Sequence, residues 1–319
     1  MKKGLMIVGG IFLVIGVLML FSSFTSLTGF VILENFSFLW QRVLSILIIV
    51  VGLIIMSAEE INAAIRSKGT LEERVGYGKN VEIHTIFVRH GEKDKEGQLT
   101  YAGIEQAKAY GRSLGERTAI KGYSSRMQRA IDTTENAINA APHNKRLKTR
   151  IRRELGMPGM SKDFLNEYIK HVKEGGENGA ADWYFGLGNK RFDKETASAK
   201  EVAEGFAYML RKNIRMSGKL YTGSKVDLVN GTHQLLPESL LKEVMIRDVN
   251  GKKVRGFDSV EEIGGVLKYT EPVDFAIKRD GGGETYVQLH FRGQEYDVDM
   301  GRLNQLASAY SRRVKGRKQ

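Results

Sequence analysis

A histidine follows the first strand expected after the apolar amino-terminal part of the chain. Residues 81–88 alternate in polarity and end in an apolar triplet, which predicts a strand, and Arg89 and His90 come directly after it. A histidine held at the end of a rigid strand is placed to act as a nucleophile. The guanidinium beside it offers a planar donor fork for a phosphoryl group, and Gly91 lets the backbone turn sharply near a ligand. These residue types indicate phosphoryl-transfer chemistry.

Further residues support this indication, which a three-residue motif cannot carry alone because so short a motif occurs by chance. They are Leu99, Thr100, Gly103, Gln106 and Ala107 after the histidine, then Ser125-Arg126-Met127-Gln128-Arg129-Ala130 with Thr133, and finally Gly231-Thr232-His233. The last group follows a buried-strand pattern at residues 226–229. Three groups in a fixed order are much more specific than any one of them.

In this order, the three groups resemble those of the histidine phosphatase superfamily, also called the phosphoglycerate mutase-like family, over about residues 81–246. The resemblance implies that His90 attacks phosphorus and carries a phosphohistidine. It also implies that Arg89, Arg129 and His233 surround the transferring oxygens and stabilise their charge. The family chemistry needs no metal and no cofactor, so none is expected.

Among the expected site residues, the proton donor is the one that the resemblance identifies least clearly. The main branch of the family places a glutamate between the arginine group and the second histidine, and Glu154 matches that position best. The other branch uses an aspartate directly after the second histidine, where this chain has Gln234. The main branch, with its Arg-His-Gly motif, is therefore indicated. Because Glu154 adjoins Arg152 and Arg153, an ordinary salt-bridged surface residue is the alternative interpretation.

Strand and helix patterns alternate through the same part of the chain. Strands are predicted at 81–88, 119–123 and 226–229, and helices at 100–117, 126–140, 163–172, 198–216 and 235–245. Such alternation predicts a three-layer α/β/α sandwich with a mostly parallel sheet. In sheets of this kind, ligands bind at the carboxyl ends of the strands.

The pattern changes after residue 250. Strand patterns at 273–278 and 285–291 flank a turn from Arg279 to Gly283, which predicts a small carboxy-terminal β-hairpin. A third short strand is predicted at 295–298. Residues 302–319 form a basic tail with helical spacing.

Most of the apolar excess lies in the first 58 residues. Residues 5–24 are uncharged and reach the length that a helix needs to cross a bilayer. A second run, residues 38–57, is long enough if Arg42 snorkels towards the headgroups. Residues 1–58 are therefore predicted to form a two-helix transmembrane hairpin. Buried core helices are the alternative for both runs, and a cleaved signal peptide is a further alternative for the first.

Basic residues lie before the first apolar run and after the second. If both runs cross the membrane, these residues lie on the same side of it. Lys2 and Lys3 precede the first run, and Arg66, Lys68, Arg74 and Lys79 follow the second. The positive-inside rule then predicts a two-pass protein of the cell membrane with its catalytic domain in the cytoplasm. The predicted organisation is the hairpin, a juxtamembrane linker at 59–80, a catalytic domain at 81–250, and an extension with the hairpin and basic tail at 251–319.

The 319 residues include no cysteine and carry a formal net charge of +12. The lack of cysteine excludes a disulfide scaffold, a thiolate metal site and a cysteine nucleophile.

Two basic clusters stand out in the sequence. The first is Lys145, Arg146, Lys148, Arg150, Arg152 and Arg153, and the second is Arg302, Arg312, Arg313, Lys315, Arg317 and Lys318. The first could attract an anionic substrate and the second could contact anionic lipids. A solvated face is the alternative for both. Nucleic-acid binding is not expected, because no aromatic-interleaved motif accompanies them.

The histidines outside the motif groups are His84, His143, His171 and His290. They lack metal-ligand spacing and a local carboxylate partner, so the sequence predicts no metal site. The overall expectation is a membrane-anchored phosphohydrolase acting on an anionic phosphomonoester through His90. A catalytically silent, membrane-tethered module that binds phosphate or a partner is the alternative from another class. An enzyme acting on lipid phosphates is a third hypothesis.

Overall fold

The computed structural model describes residues 76–316. Both apolar runs, the hairpin predicted over 1–58 and most of the linker predicted at 59–80 lie outside the described residues. Within 76–316, every helix is too short or too polar to cross a bilayer. The described residues from Tyr77 onward belong to one compact unit.

Strands and helices alternate in the first two thirds of the described chain. Its strands are β1 (Val81–Arg89), β2 (Ala119–Ser124), β3 (Arg146–Ile151), β4 (Lys225–Thr232), β5 (Met245–Val249), β6 (Lys252–Arg255), β7 (Pro272–Arg279), β8 (Thr285–Phe291) and β9 (Gln294–Val298). Its α-helices are α1 (Tyr101–Ser113), α2 (Gln128–Ala140), α3 (Lys162–Gly186), α4 (Ala199–Ser217), α5 (Leu236–Val244) and α6 (Met300–Gly316).

All nine of these strands form a single mixed sheet in the order β3-β2-β4-β1-β7-β8-β9-β5-β6. Pairs from β3 to β1 are parallel, whereas every pair from β1 to β6 is antiparallel. The prediction of a mostly parallel sheet is therefore wrong. It failed because the strands after residue 250 extend the main sheet, with β7 hydrogen-bonded along the length of β1.

The carboxy-terminal hairpin is thus an integral part of the sheet and not an appendage. β7 and β8 form the predicted hairpin and β9 is the predicted third strand. The predicted domain boundary at residue 250 falls in the turn between β5 and β6, and the sheet continues across it.

Helices cover both faces of the sheet. On one face, α2 packs over β2 and β4, where Ile138 meets Ile120 and Val229 in a small core. On the other face, a larger core forms around β1, β7 and the helices α3 to α6. Phe87 lies at its centre, with its ring 4.8 Å from that of Phe206. The sheet is therefore held rigidly beneath the ends of β1 and β4.

Two local features differ from the sequence patterns. β3 carries half of the first basic cluster. It was not predicted, because an edge strand with exposed polar residues lacks the apolar alternation on which such a prediction depends. The helix predicted at 163–172 continues as α3 to Gly186, with a break at Gly176, where φ is +69°. Pro237 lies in the first turn of α5, as predicted.

The predicted basic tail is largely a packed helix. α6 buries Leu303 and Leu306 in the larger core. Arg302 donates to Glu243 at 2.7 Å, and Arg313 donates to Glu201 at 2.6 Å. Two of the basic side chains of the tail cluster are therefore engaged within the protein and are not fully solvated.

Candidate active site

Three parallel strands deliver the motif residues to one edge of the sheet. Arg89 at the end of β1 lies opposite Thr232 at the end of β4, and Ser124 at the end of β2 lies opposite Gly231. The residues that follow these strands therefore meet, because the carboxyl ends of parallel neighbours share an edge. The rings of His90 and His233 lie 5.3 Å apart, centroid to centroid, in an edge-on arrangement.

Both ring nitrogens of His90 have a defined partner. Nδ1 lies 2.8 Å from the carbonyl oxygen of Gly91, and Nε2 lies 3.0 Å from the Nε–H of Arg129. A carbonyl can only accept, so the partners assign the proton to Nδ1 and leave a lone pair on Nε2. Burial, together with the charges of Arg129 and Arg89, lowers the pKa of His90 to about 4. His90 is therefore a neutral imidazole whose Nε2 lone pair is directed at a guanidinium, the form that a nucleophile requires.

The backbone around His90 is fixed by close contacts. The Gly91 N–H donates to Thr133 Oγ1 at 3.0 Å, and that hydroxyl donates to the Arg129 carbonyl at 2.7 Å. A Cβ on Gly91 would lie 2.4 Å from the carbonyl oxygen of Gly103 in α1. Glycine is required at 91 because no side chain fits between the loop and the helix.

The second histidine is also kept neutral. His233 Nε2 lies 2.8 Å from the Ser125 hydroxyl, while its buried Nδ1 has no hydrogen-bond partner among the described residues. Burial, with added repulsion from His90 and the two arginines, lowers the pKa of His233 to about 3. A neutral ring beside His90 can donate to a phosphoryl oxygen without repelling the two guanidinium groups.

Arg89 is held beneath the site with only 7% of its surface exposed. Its guanidinium donates to the Leu267 carbonyl and lies 4.4 Å from the ring centroid of Tyr269. Its Nη1 is 3.6 Å from a carboxylate oxygen of Glu177. Its Nε has no partner within the described structure. Together, two arginines and two neutral histidines surround a space suited to a phosphoryl group.

A comparison with protein-family models identifies the group to which this site belongs. Residues 85–161 match the model of the histidine phosphatase superfamily, branch 1. Over these residues the chain resembles this superfamily. With both histidines and both arginines assembled at one edge, it is a histidine-type phosphatase.

Several solved structures are similar to this phosphatase. A mycobacterial glucosyl-3-phosphoglycerate phosphatase is 14% identical, with 68% of this chain and 97% of that chain covered at a TM-score of 0.41. A phosphoserine phosphatase from Entamoeba histolytica, in complex with 3-phosphoglyceric acid, is 18% identical (68% and 95% covered, TM-score 0.38). A putative alpha-ribazole-5'-P phosphatase from Escherichia coli is 15% identical (66% and 97% covered, TM-score 0.38). No curated protein matches the sequence significantly.

The predicted acid, Glu154, lies on a turn that borders this edge of the sheet, because Thr232 Oγ1 donates to the neighbouring Leu155 carbonyl at 2.7 Å. Glu154 is in a single 3₁₀ turn after β3, and its Cβ lies near Gly205 of α4. Its charge raises the pKa of Tyr310 in α6, although burial is the larger cause. Glu154 makes no side-chain hydrogen bond to His90 or His233 in the described structure.

Two residues that the sequence did not single out contact the site. Tyr269 lies with its ring centroid 6.0 Å from that of His90, because β7 runs antiparallel to β1 and the segment before it therefore reaches the same edge. Glu177 follows the break in α3 at Gly176 and accepts from Gln234 Nε2 at 3.0 Å. Gly175 and Gly176 within a helical pattern were the only sequence signal for that break.

At about pH 7 we expect His90 to be neutral, with its proton on Nδ1. As the pH falls, the ring should keep this form until near pH 4, because burial and neighbouring guanidinium groups lower its pKa. ¹⁵N NMR of the histidine rings of the full chain would measure both properties, and the His90→Asn spectrum would assign the resonances. A midpoint near 6.5, or a proton on Nε2, would contradict the geometry.

Proposed function

We propose that the protein hydrolyses an anionic phosphomonoester through a phosphohistidine on His90. The contact between His90 Nε2 and Arg129 is the main observation that supports this proposal. It places a lone pair at the point where an arginine can hold a phosphoryl oxygen. Because the Nδ1 proton is held by a backbone carbonyl, the ring cannot rotate freely away from the substrate.

The first step transfers the phosphoryl group to the histidine. Nε2 forms a bond to phosphorus as the bond from phosphorus to the ester oxygen breaks, and the leaving oxygen takes a proton from a carboxylic acid. Arg89, Arg129 and His233 donate to the equatorial oxygens, where charge is spread in the transition state. In the second step, the same carboxylate takes a proton from a water, the water oxygen forms a bond to phosphorus, and the bond from phosphorus to Nε2 breaks to release phosphate and free His90.

Substrate binding must rearrange two contacts of the free protein. Arg129 has to turn its Nε–H from His90 to a phosphoryl oxygen. The carboxylate of Glu177, 3.6 Å from Arg89 Nη1, has to make room for a phosphoryl oxygen beside Arg89. Glu177 has a side chain that is 53% exposed, so it can swing out at little cost.

Two carboxylates are thus candidates for the proton donor. Glu154 is the counterpart implied by family resemblance, and Glu177 is the one in contact with Arg89. We assign the role to Glu177, because its contact with Arg89 places it beside the phosphoryl site, and a proton donor must come within hydrogen-bond reach of the leaving oxygen, directly or through one water.

Glutamine variants of the two carboxylates, each assayed with substrates that differ in their leaving group, show which carboxylate is the proton donor. A donor matters much more for an alkyl phosphate than for p-nitrophenyl phosphate, whose leaving group needs little protonation. We expect Glu177→Gln to lower kcat/KM for the alkyl ester by about 10²–10⁴-fold, with a much smaller loss for the aryl ester. Glu154→Gln should change neither strongly.

The matched control for this comparison is Glu174→Gln, one turn before Glu177 on the same helix and also exposed. If Glu154→Gln shows the leaving-group dependence instead, the sequence-based assignment holds and the Glu177 assignment is wrong.

Membrane anchoring is part of the proposal and is supported by the sequence alone. Residues 5–24 and 38–57 would cross the bilayer and leave the catalytic domain in the cytoplasm, as the flanking basic residues indicate. The outward basic residues of α6 would then face anionic lipid headgroups. We expect the full chain to remain in membranes after alkaline carbonate extraction, and release into the supernatant would contradict the anchor.

A catalytically silent module is the second candidate. The observation that favours it is that Glu177 already forms an ion pair with Arg89, while Glu154 makes no hydrogen bond to either histidine in the described structure. Such a protein would bind phosphate or a phosphorylated partner and release it unchanged.

His90→Ala tests the enzyme directly. We expect the full chain to hydrolyse p-nitrophenyl phosphate and the variant to lose at least about 10³-fold in kcat, because the nucleophile is gone. A ³²P-labelled substrate should leave an acid-labile, alkali-stable label on the wild-type protein only.

His171→Ala is the control, because His171 lies on α3 and stacks on Trp183, 4.6 Å away. Equal rates in wild type and His90→Ala would remove the enzyme proposal. Saturable phosphate binding without turnover would establish the silent module in its place.

A further inference from the structure

A second cluster of ionisable side chains lies in the middle of the sheet, away from the phosphatase site. His84 of β1, Asp274 of β7 and His290 of β8 come from three adjacent strands. Asp274 is paired directly with His290, and His84 is paired with Ala276, two residues along from Asp274. Side chains alternate between faces, so all three lie on the same face.

The two histidines direct the same type of ring nitrogen at one carboxylate oxygen. His84 Nδ1 is 2.6 Å from Asp274 Oδ2, and His290 Nδ1 is 3.6 Å from the same oxygen. One potential ligand atom from each residue lies within 4.8 Å of the others. Asp274 Oδ1 is buried and has no hydrogen-bond partner in the described chain. The cluster therefore has an unsatisfied acceptor beside two convergent imidazoles.

Each histidine has a glutamate at its other nitrogen. His84 Nε2 is 3.0 Å from Glu82 Oε1, and His290 Nε2 is 3.6 Å from Glu295 Oε1. Carboxylates at this position commonly orient metal-binding histidines, because they take the remaining ring proton and make the ligand nitrogen more basic. A glutamate thus lies beside the outer nitrogen of each ring, hydrogen-bonded at His84 and at ion-pair distance only at His290.

We propose that His84 Nδ1, Asp274 Oδ2 and His290 Nδ1 bind one divalent transition-metal ion of the Zn²⁺ class. Two imidazoles and a carboxylate suit Zn²⁺ and its neighbours in the first transition series, and water completes the coordination. The side chains of His290 and Asp274 are 32% and 19% exposed, which gives the ion a path from solvent.

Metal binding requires a change of tautomer at His84. Without metal, Nδ1–H donates to Asp274 and Nε2 accepts from Arg117 Nη2 at 2.8 Å. With the ion on Nδ1, the ring proton moves to Nε2 and is donated to Glu82. Arg117 loses His84 Nε2 as the acceptor of its Nη2–H but keeps its ion pairs with Glu82 at 3.2 Å and with Asp227 at 3.0 Å.

The ion would hold the carboxy-terminal strands against β1. His84 belongs to the parallel half of the sheet, whereas Asp274 and His290 belong to the antiparallel half. His84 precedes His90 by six residues, or about 20 Å along an extended strand. The ion therefore lies too far from His90 to take part in phosphoryl transfer, and its effect is on stability.

Cobalt binding to the full chain tests this proposal. After dialysis against EDTA, Co²⁺ should bind one equivalent per chain and give the visible d–d absorption of a nitrogen-ligated, low-coordinate ion. Zn²⁺ should displace it and raise the thermal midpoint. Asp274→Asn and His290→Gln should abolish the spectrum, and Glu295→Gln should weaken binding about 10- to 100-fold.

Phosphatase activity reports whether the variants fold. If the protein is catalytically silent, phosphate binding serves as this readout instead. His171→Gln is the matched control, because His171 also lies near two carboxylates, at 3.5 and 3.9 Å, on the surface of α3. Absence of stoichiometric binding in the wild type would overturn the proposal. So would a cobalt spectrum that both ligand variants retain.

Discussion

The pairing of β1 with two neighbours of opposite direction is the constraint on which the rest of the structure depends. Parallel pairing with β4 brings His90 and His233 to one edge of the sheet. Antiparallel pairing with β7 brings the residues before Pro272 to that same edge. One strand thereby joins two halves of different topology, and each half supplies one side of the phosphate site.

Desolvation is the second organising effect at that edge. Buried imidazoles resist protonation, so His90 and His233 remain neutral beside two permanent cations. Charged histidines would repel Arg89 and Arg129 and would provide no lone pair for attack. The low dielectric that disfavours charge on the rings also strengthens each guanidinium contact with an incoming phosphate. The same burial would therefore support both the proposed nucleophile and the binding of an anion.

The sequence predicted features that depend on neighbouring residues in the chain. It did not predict features that depend on contacts between distant parts of the chain. The end of β1, the start of α2 and the turn after β4 are local patterns, and all three were predicted with the residues they carry. Whether a distant strand pairs with β1 is decided by packing of the whole chain, which no window of sequence contains. Tyr269 and the His84 cluster were missed for this reason, since their neighbours in space lie far away along the chain. The basic strand β3 was missed because an exposed edge leaves no apolar period to detect.

The position of Tyr269 has a consequence for how the protein is made. A ribosome adds residues in order, and domains form as their segments emerge. The nucleophile and both arginines are complete early, but the wall beside Arg89 and the strand that covers one edge of β1 belong to the last fifth of the chain. Until β7 has been synthesised, β1 exposes an unpaired edge. A chain that stops short of Pro272 would thus carry every motif residue and still lack a finished site.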